Sequence, residues 1–305
     1  MVDFNVDGAQ NVEVSKKIPC QKSPAEQLAI MERYTETHRE SAHLSKEARE
    51  IACLRMLYPT LFRAIEPEDL FVGRIDVLPI GFGCVTSLGG VGHYCVFQKL
   101  RAFQQTLTSA ADKKRVDALY DYWLDHDIKT IFCRRELTET TIGRFIDTEY
   151  PMIATARLSG MMLDYQKLLD KGINGLRAEI GSRLKSDPDN EYLKASLACL
   201  DLFDQSADAL REMAGRQLPA ADEKRRRELR RIMDSLEKIK TGVPETFHQA
   251  LQLFWLFAML SGVINYGRLD DYLGPFLVKD LQSGALTEDE AFDLDSHIWE
   301  SALPV

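Results

Sequence analysis

None of the six cysteines falls in a Cys-x-x-Cys pair, so the spacing of a zinc ribbon or an iron–sulfur cluster is missing. Their wide scatter over 305 residues also argues against a disulfide framework and for a reduced compartment. The first residues, MVDFNVDGAQNVEVSKK, contain no apolar core, so they are not expected to be a signal peptide. The most apolar stretch, Ala250 to Ile264, is shorter than the ~20 residues a bilayer span needs and reads as a buried helix. Positive charge is in deficit. The formal net charge of −9 disfavours non-specific nucleic-acid binding and docking on anionic lipid. The expectation is a soluble cytoplasmic protein with small-molecule or protein partners, no nucleic acid and no membrane.

The familiar chemical motifs are absent too. There is no His-Glu-x-x-His, no Gly-x-Ser-x-Gly, no phosphate loop and no Gly-x-Gly-x-x-Gly. His38 and His43 are spaced five apart, poor for two ligands on one helix face. No metal site and no catalytic residue is assigned from the sequence.

What is present is helical patterning. Residues 1–22 read as an extended or disordered arm. Ser23-Pro24-Ala25-Glu26 then forms a capping box with proline at the first helical position. Helix is predicted from there to about Tyr58, with a break near Leu44 and Pro59 as terminator. Leu70 to Ile80 is the best strand candidate, apolar and β-branched between turn signals. A glycine-rich loop, Gly81 to Gly92, follows. Val116, Leu119, Tyr120 and Trp123 make one apolar stripe on a helix over 110–124, and Ile128 to Phe132 suggests a short strand.

Helix, turn and helix are predicted over 150–184, with Gly172 placed for a left-handed cap. Further helices are expected over 191–213 and 222–240. The second carries Arg225, Arg226, Arg227, Arg230 and Arg231, read as a solvated face opposite the apolar stripe. Thr287-Glu288-Asp289-Glu290 opens a last helix with Phe292, Leu294, Ile298 and Trp299. That helix stops without a cap, so the chain is expected to be the front portion of a longer protein. Phe292, Ile298 and Trp299 would then lack a full set of packing partners.

One region is specific. Pro244-Glu245-Thr246-Phe247-His248-Gln249-Ala250-Leu251-Gln252 leads into the buried helix. Gly267-Arg268-Leu269-Asp270-Asp271-Tyr272-Leu273-Gly274-Pro275 follows it, and then Gly284-Ala285-Leu286-Thr287-Glu288-Asp289-Glu290-Ala291. This order resembles the glycyl radical enzymes, the family of pyruvate formate-lyase and its dehydratase relatives. Gln249 replaces the family's usual Glu, and Asp271 its usual Gln. Glu68 to Ile75 resembles an early strand of the family, and Gly160 to Gly175 its Gly-His-x-x-Pro-Asp-Tyr segment, with Met161 in place of the histidine.

The resemblance covers most of residues 24–300. It implies a predominantly helical α/β fold: the front part of a ten-stranded β/α barrel, incomplete at the C-terminus, with residues 23–305 as one partial pyruvate formate-lyase-like domain. It implies anaerobic radical chemistry of lyase, dehydratase or formate acetyltransferase type. In the family, a separate S-adenosylmethionine-dependent activase installs a glycyl radical that generates a thiyl radical on a cysteine. The cysteine and glycine motifs are not among these 305 residues, so no cofactor is expected on this chain and no activity from it alone. The partners implied for the full-length protein are a small-molecule substrate and the activase; self-association into a homo-oligomer through the uncovered apolar surface is also expected. His93, Tyr94, Asp164, Arg268 and Asp270 are the candidate pocket or structural residues, with Arg268 and Asp270 expected as an internal ion pair. The competing expectation is a helical scaffold that holds a partner through an incomplete core.

Overall fold

A computed structural model describes residues 20–84, 91–128, 130, 131, 135, 162–263 and 265–302. Ten α-helices and one antiparallel hairpin are found among them. The first layer holds α1 (Pro24–Glu40), α2 (Lys46–Leu61), β1 (Ile80–Cys84), β2 (Val91–Cys95), α3 (Phe97–Thr106) and α4 (Ala110–Trp123). The second holds α5 (Tyr165–Ser186), α6 (Glu191–Gln217), α7 (Glu223–Thr241), α8 (Phe247–Ser261), α9 (Leu269–Ser283) and α10 (Glu288–Ala302).

Short polar residues set most of the helix starts. Ser23 and Glu26 complete the expected capping box, and Thr287 and Glu290 form the same reciprocal pair at α10. Ser45, Ser109, Asp164, Asn190, Asp222 and Thr246 cap six more helices through a side-chain oxygen. The expected break near Leu44 is the Ser41–Ser45 connection between α1 and α2. Pro59 does not end α2, which runs on to Leu61. Gly172 has φ +60 and kinks α5, as its glycine identity suggested.

Two apolar cores result. Leu28, Met31, Tyr34, Cys53, Leu57, Leu100, Val116 and Trp123 belong to the first. The second is centred on α8, whose residues Ala250 to Leu256 are all buried, as expected for the most apolar stretch of the chain. Leu229, Ile232, Leu236 and Ile239 of α7 and Phe203, Ala207 and Leu210 of α6 pack around it. The Oη of Tyr58 on α2 donates to the Leu260 carbonyl at 2.7 Å and joins the two layers.

Several expectations are corrected. Leu70 to Pro79 is not a strand: Leu70, Phe71 and Pro79 are bends, Gly73 has φ +127, and only Ile75 makes a bridge, to Phe62. Side chains of helices take the place of a neighbouring strand. Gln252 of α8 accepts from Val72 N at 3.0 Å and donates to Val72 O at 2.7 Å. His248 bonds Leu70 O, Arg225 donates to Glu66 O and Asp69 O, and Gln217 donates to Ile65 O. Buried backbone groups need partners, and here the partners are amides, imidazole and guanidinium.

Arg225 and Arg226 are therefore not on a solvated face: Arg226 donates to the carbonyls of Ala221 and Leu218. The expected strand at Ile128 is helical at Ile128, Thr130 and Ile131, because Asp127 accepts the Thr130 N–H and nucleates a turn. The ends of the Gly81–Gly92 loop are paired strand, with Ile80 opposite Cys95 and Phe82 opposite His93. Ile298 is buried in the second core, whereas Phe292 (71% exposed) and Trp299 (56%) are not. Most of the arm 1–22, the predicted helix start at 150 and the Gly160–Met161 pair lie outside the described residues. No helix of the described residues is long and apolar enough to cross a membrane.

Candidate functional site

The five candidate residues occupy two places. Asp164, Arg268 and Asp270 sit where two chain segments come side by side. Met162 and Asn265 form a parallel bridge, the pairing a β/α barrel requires of neighbouring strands. Each segment then turns into a helix. Asp164 caps α5, its Oδ1 accepting from Lys167 N at 3.0 Å. Arg268 and Asp270 open α9.

Close approach at this junction needs glycine. Gly267 has φ +63, and a Cβ there would lie 1.9 Å from the Met162 sulfur. Tyr272 donates to Tyr266 O at 2.7 Å and stacks on buried Tyr165, which contacts Phe254 of α8. An aromatic floor thus lies under the junction. Tyr165 Oη is buried with no hydrogen-bond partner.

The expected internal ion pair is an exposed one. Arg268 donates to both carboxylate oxygens of Asp270, at 2.9 and 2.6 Å, but the side chains are 76% and 68% exposed. Asp164 is exposed as well. Three charged groups and an exposed Met162 therefore crown an apolar, aromatic base. Such a surface can bind and orient a polar molecule; by itself it presents no nucleophile.

His93 and Tyr94 lie elsewhere, on β2 against the first core. His93 is buried, and its Nδ1 shares a 2.7 Å hydrogen bond with Tyr34 Oη. The Tyr94 hydroxyl donates to Leu78 O at 3.3 Å, and burial pushes its pKa up. His38 Nδ1 pairs with Tyr122 Oη at 2.8 Å, and His126 Nδ1 donates to the Tyr122 carbonyl at 2.7 Å. Burial, reinforced by Arg49 and the neighbouring imidazoles, pushes His93 down to about 3 and His38 to about 4. The meeting of His38 and His93 has no local signature, since nothing in the sequence links α1 to β2.

A third buried histidine is likewise placed by tertiary contacts that no local pattern announces. His248 is buried between Ser235 Oγ at 2.7 Å and Leu70 O at 2.8 Å. A carbonyl only accepts, so Nε2 carries the proton and Nδ1 accepts from the serine. Burial holds it neutral, with a pKa of about 4. Near it, a surface cleft of about 660 Å³ runs between α7 and α10, lined by Arg227, Arg231, Asp234 and Glu290. Among the described residues no group of three or more His, Cys, Asp or Glu is arranged to hold a metal ion.

Comparison with known proteins agrees with this architecture. The family described as pyruvate formate lyase-like matches residues 7–301. The trans-4-hydroxy-L-proline dehydratase of Clostridioides difficile is 30% identical over 149 residues, 42% of this chain and 18% of that protein. The (2S)-3-sulfopropanediol dehydratase of Klebsiella oxytoca is 24% identical over 273 residues, 81% of this chain and 33% of that protein. A glycyl radical enzyme of Archaeoglobus fulgidus has a similar fold, with TM-score 0.70 and 21% identity, covering 94% of this chain and 39% of its own. The chain thus spans well under half the length of the proteins it matches.

Proposed function

This chain belongs to the pyruvate formate lyase-like family of glycyl radical enzymes, and on that premise we propose that it forms the front part of a radical dehydratase or lyase barrel. The observation that carries the reading is the Met162–Asn265 parallel bridge, within a fold shared with glycyl radical enzymes over more than nine-tenths of the chain. The chemistry proposed for the complete enzyme is hydrogen abstraction from a small polar substrate, followed by loss of a leaving group at a C–O or C–C bond. These 305 residues supply walls and orientation. Asp164, Arg268 and Asp270 are the groups proposed to face the substrate, and His93 and Tyr94, away from them against the first core, act as structural supports. The glycyl radical, the thiyl-forming cysteine and the encounter with the activase belong to segments beyond these motifs, so this chain by itself is catalytically silent.

The test is anaerobic incubation of the purified 305-residue chain with S-adenosylmethionine and activases of the family, followed by electron paramagnetic resonance. No glycyl doublet is expected; a doublet on this chain would overturn the claim of silence. The positive arm joins the chain to the C-terminal part of a family dehydratase. In that chimaera, Arg268→Ala should reduce turnover without reducing the radical yield. Equal turnover in the variant would remove Arg268 from the substrate site.

Exposed Phe292 and Trp299 favour a second reading, a scaffold that holds a partner through α10. Sizing in solution separates the two: a complex that Phe292→Glu abolishes supports the scaffold, and an unchanged monomer removes it.

A further inference from the structure

A cleft of about 750 Å³ opens where the N-terminus of α7 and one side of α10 face the 66–70 turn. Its most buried polar residue is His297 of α10, 6% exposed, whose ring stands edge-on to Phe71 at 4.8 Å. His297 Nε2 lies 3.4 Å from Asp69 Oδ1 but forms no hydrogen bond. Asp69 is otherwise engaged, by Arg74 at 2.7 Å and by the Glu66 N–H at 2.8 Å. A carboxylate beside one imidazole nitrogen holds the ring proton there, so Nδ1 keeps the lone pair. With Nε2 turned to Asp69, Nδ1 is the nitrogen that this cleft-lining ring has left to offer, and among the described residues no donor answers it.

The charges around the cleft do not cancel. Arg225 donates to Glu66 O, Asp69 O and Glu228, and its remaining donor, Nε, is sealed from solvent. Lys224 lies 3.9 Å from the same Glu228. Asp222 caps α7 through the Arg225 N–H. The other two lining carboxylates, Glu68 and Asp293, are exposed and make no hydrogen bond or ion pair among the described residues. Phe292, 71% exposed, adds an aromatic face, with Pro67 and Ala221 as apolar walls. The unanswered charge is therefore negative, and it stands beside a free lone pair and an open ring.

We propose that this cleft binds a small alkylammonium ion, which donates an N–H to His297 Nδ1, is balanced by Glu68 and Asp293, and lays its alkyl chain on Phe292. Each part of such a ligand meets a group that lacks a partner. The positive charge meets two free carboxylates and an aromatic face. The N–H meets the one accepting nitrogen of a buried ring, where a hydrogen bond to a cation is strong. Asp69 is a positioning residue: it touches no ligand and sets which nitrogen of His297 accepts. A quaternary ammonium ion of the same length has the charge and the chain but no N–H, so it satisfies the carboxylates and leaves Nδ1 unanswered. Binding is non-covalent throughout.

Ligand-observed NMR titration of the full chain tests this, with n-butylammonium against n-butyltrimethylammonium at constant ionic strength. Butylammonium should bind saturably and about tenfold more tightly or better, the difference made by one hydrogen bond to a charged group. The double variant Glu68→Gln/Asp293→Asn alters only exposed, unpaired side chains. It should keep the wild-type melting temperature and lose about tenfold or more in affinity for both ions. His297→Phe keeps a ring against Phe71 and removes the lone pair, so it should bind the two ions alike. Absence of saturable binding overturns the proposal. So does equal affinity of the wild type for the two ions, or a double variant that binds as the wild type does. These three readouts involve no core substitution, so they decide the matter even where His297→Phe fails to fold.

Discussion

Gln252 offers the sharpest test of how the centre of the molecule is held. Its side chain is fully buried and spans the backbone of Val72 with two bonds, one accepted and one donated. Gln252→Leu keeps the volume and removes both. Val72 N and O are then left in the core without water. Each stranded group costs about 1–3 kcal/mol, so the loss should be about 4 kcal/mol. Urea unfolding followed by tryptophan fluorescence reads this directly, because Trp255 lies one turn along α8.

Gln252→Glu adds an internal check of the mechanism. At pH 7 a carboxylate accepts from Val72 N but cannot donate to Val72 O. Burial raises the folded-state pKa of such a glutamate above its unfolded value of about 4.3. The stability of its protonated form is therefore complete below the unfolded value and lost as pH rises through the folded one. Measured against wild type at equal pH, the penalty should shrink as the solution is acidified. A Gln252→Leu loss under about 1 kcal/mol, or a pH-independent penalty for the glutamate, would refute the two-bond account.

Other outcomes follow from single features. His248 stays neutral in the fold with a pKa of about 4, while the unfolded chain takes a proton near 6.5. The fold therefore loses stability as pH falls below the unfolded value, about 2 kcal/mol from this residue between pH 7 and 5, checked by urea midpoints across that range. Asp76→Asn should cost about 3–5 kcal/mol, since the buried carboxylate receives Lys22 at 2.8 Å and Arg63 at 2.9 Å. Gly172→Ala should lower the melting temperature, because its Cβ would stand 2.9 Å from the Gly242 carbonyl at φ +60. Asp270→Asn should leave that temperature unchanged, because its pair with Arg268 is exposed to water.

What the sequence made legible was local. Capping boxes at Ser23 and Thr287 span three residues and are legible, as are the apolar stripes of α4 and α7 and the apolar stretch of α8. Helix α3 (Phe97–Thr106) went unassigned: it starts at Val96 with no side-chain cap, so no punctuation announces it. The segment Leu70–Ile80 has the composition of a strand, but composition says only that side chains are buried, not which groups answer the backbone. Arg225 shows the same blindness in reverse: its charge suggested solvent, whereas its guanidinium is spent on carbonyls more than 150 residues away. At the candidate site, the motif Gly267-Arg268-Leu269-Asp270 marks the start of α9. Its pairing with Met162 and the meeting of His38 with His93 depend on tertiary contacts that no periodicity encodes.

The grip on residues 65–74 also sets an order of events at the ribosome. That stretch leaves the exit tunnel early, yet Gln252, the residue that answers Val72, is made 180 positions later. Until then the segment, with Leu70, Phe71 and Val72 at its centre, has its backbone unclaimed, and any free sheet edge can claim it. Slowing elongation between the two points should lengthen that exposure. Chaperone occupancy on nascent chains should rise after Ile80 emerges and fall once α8 has cleared the tunnel, so that the yield of soluble protein depends on how quickly the second layer arrives.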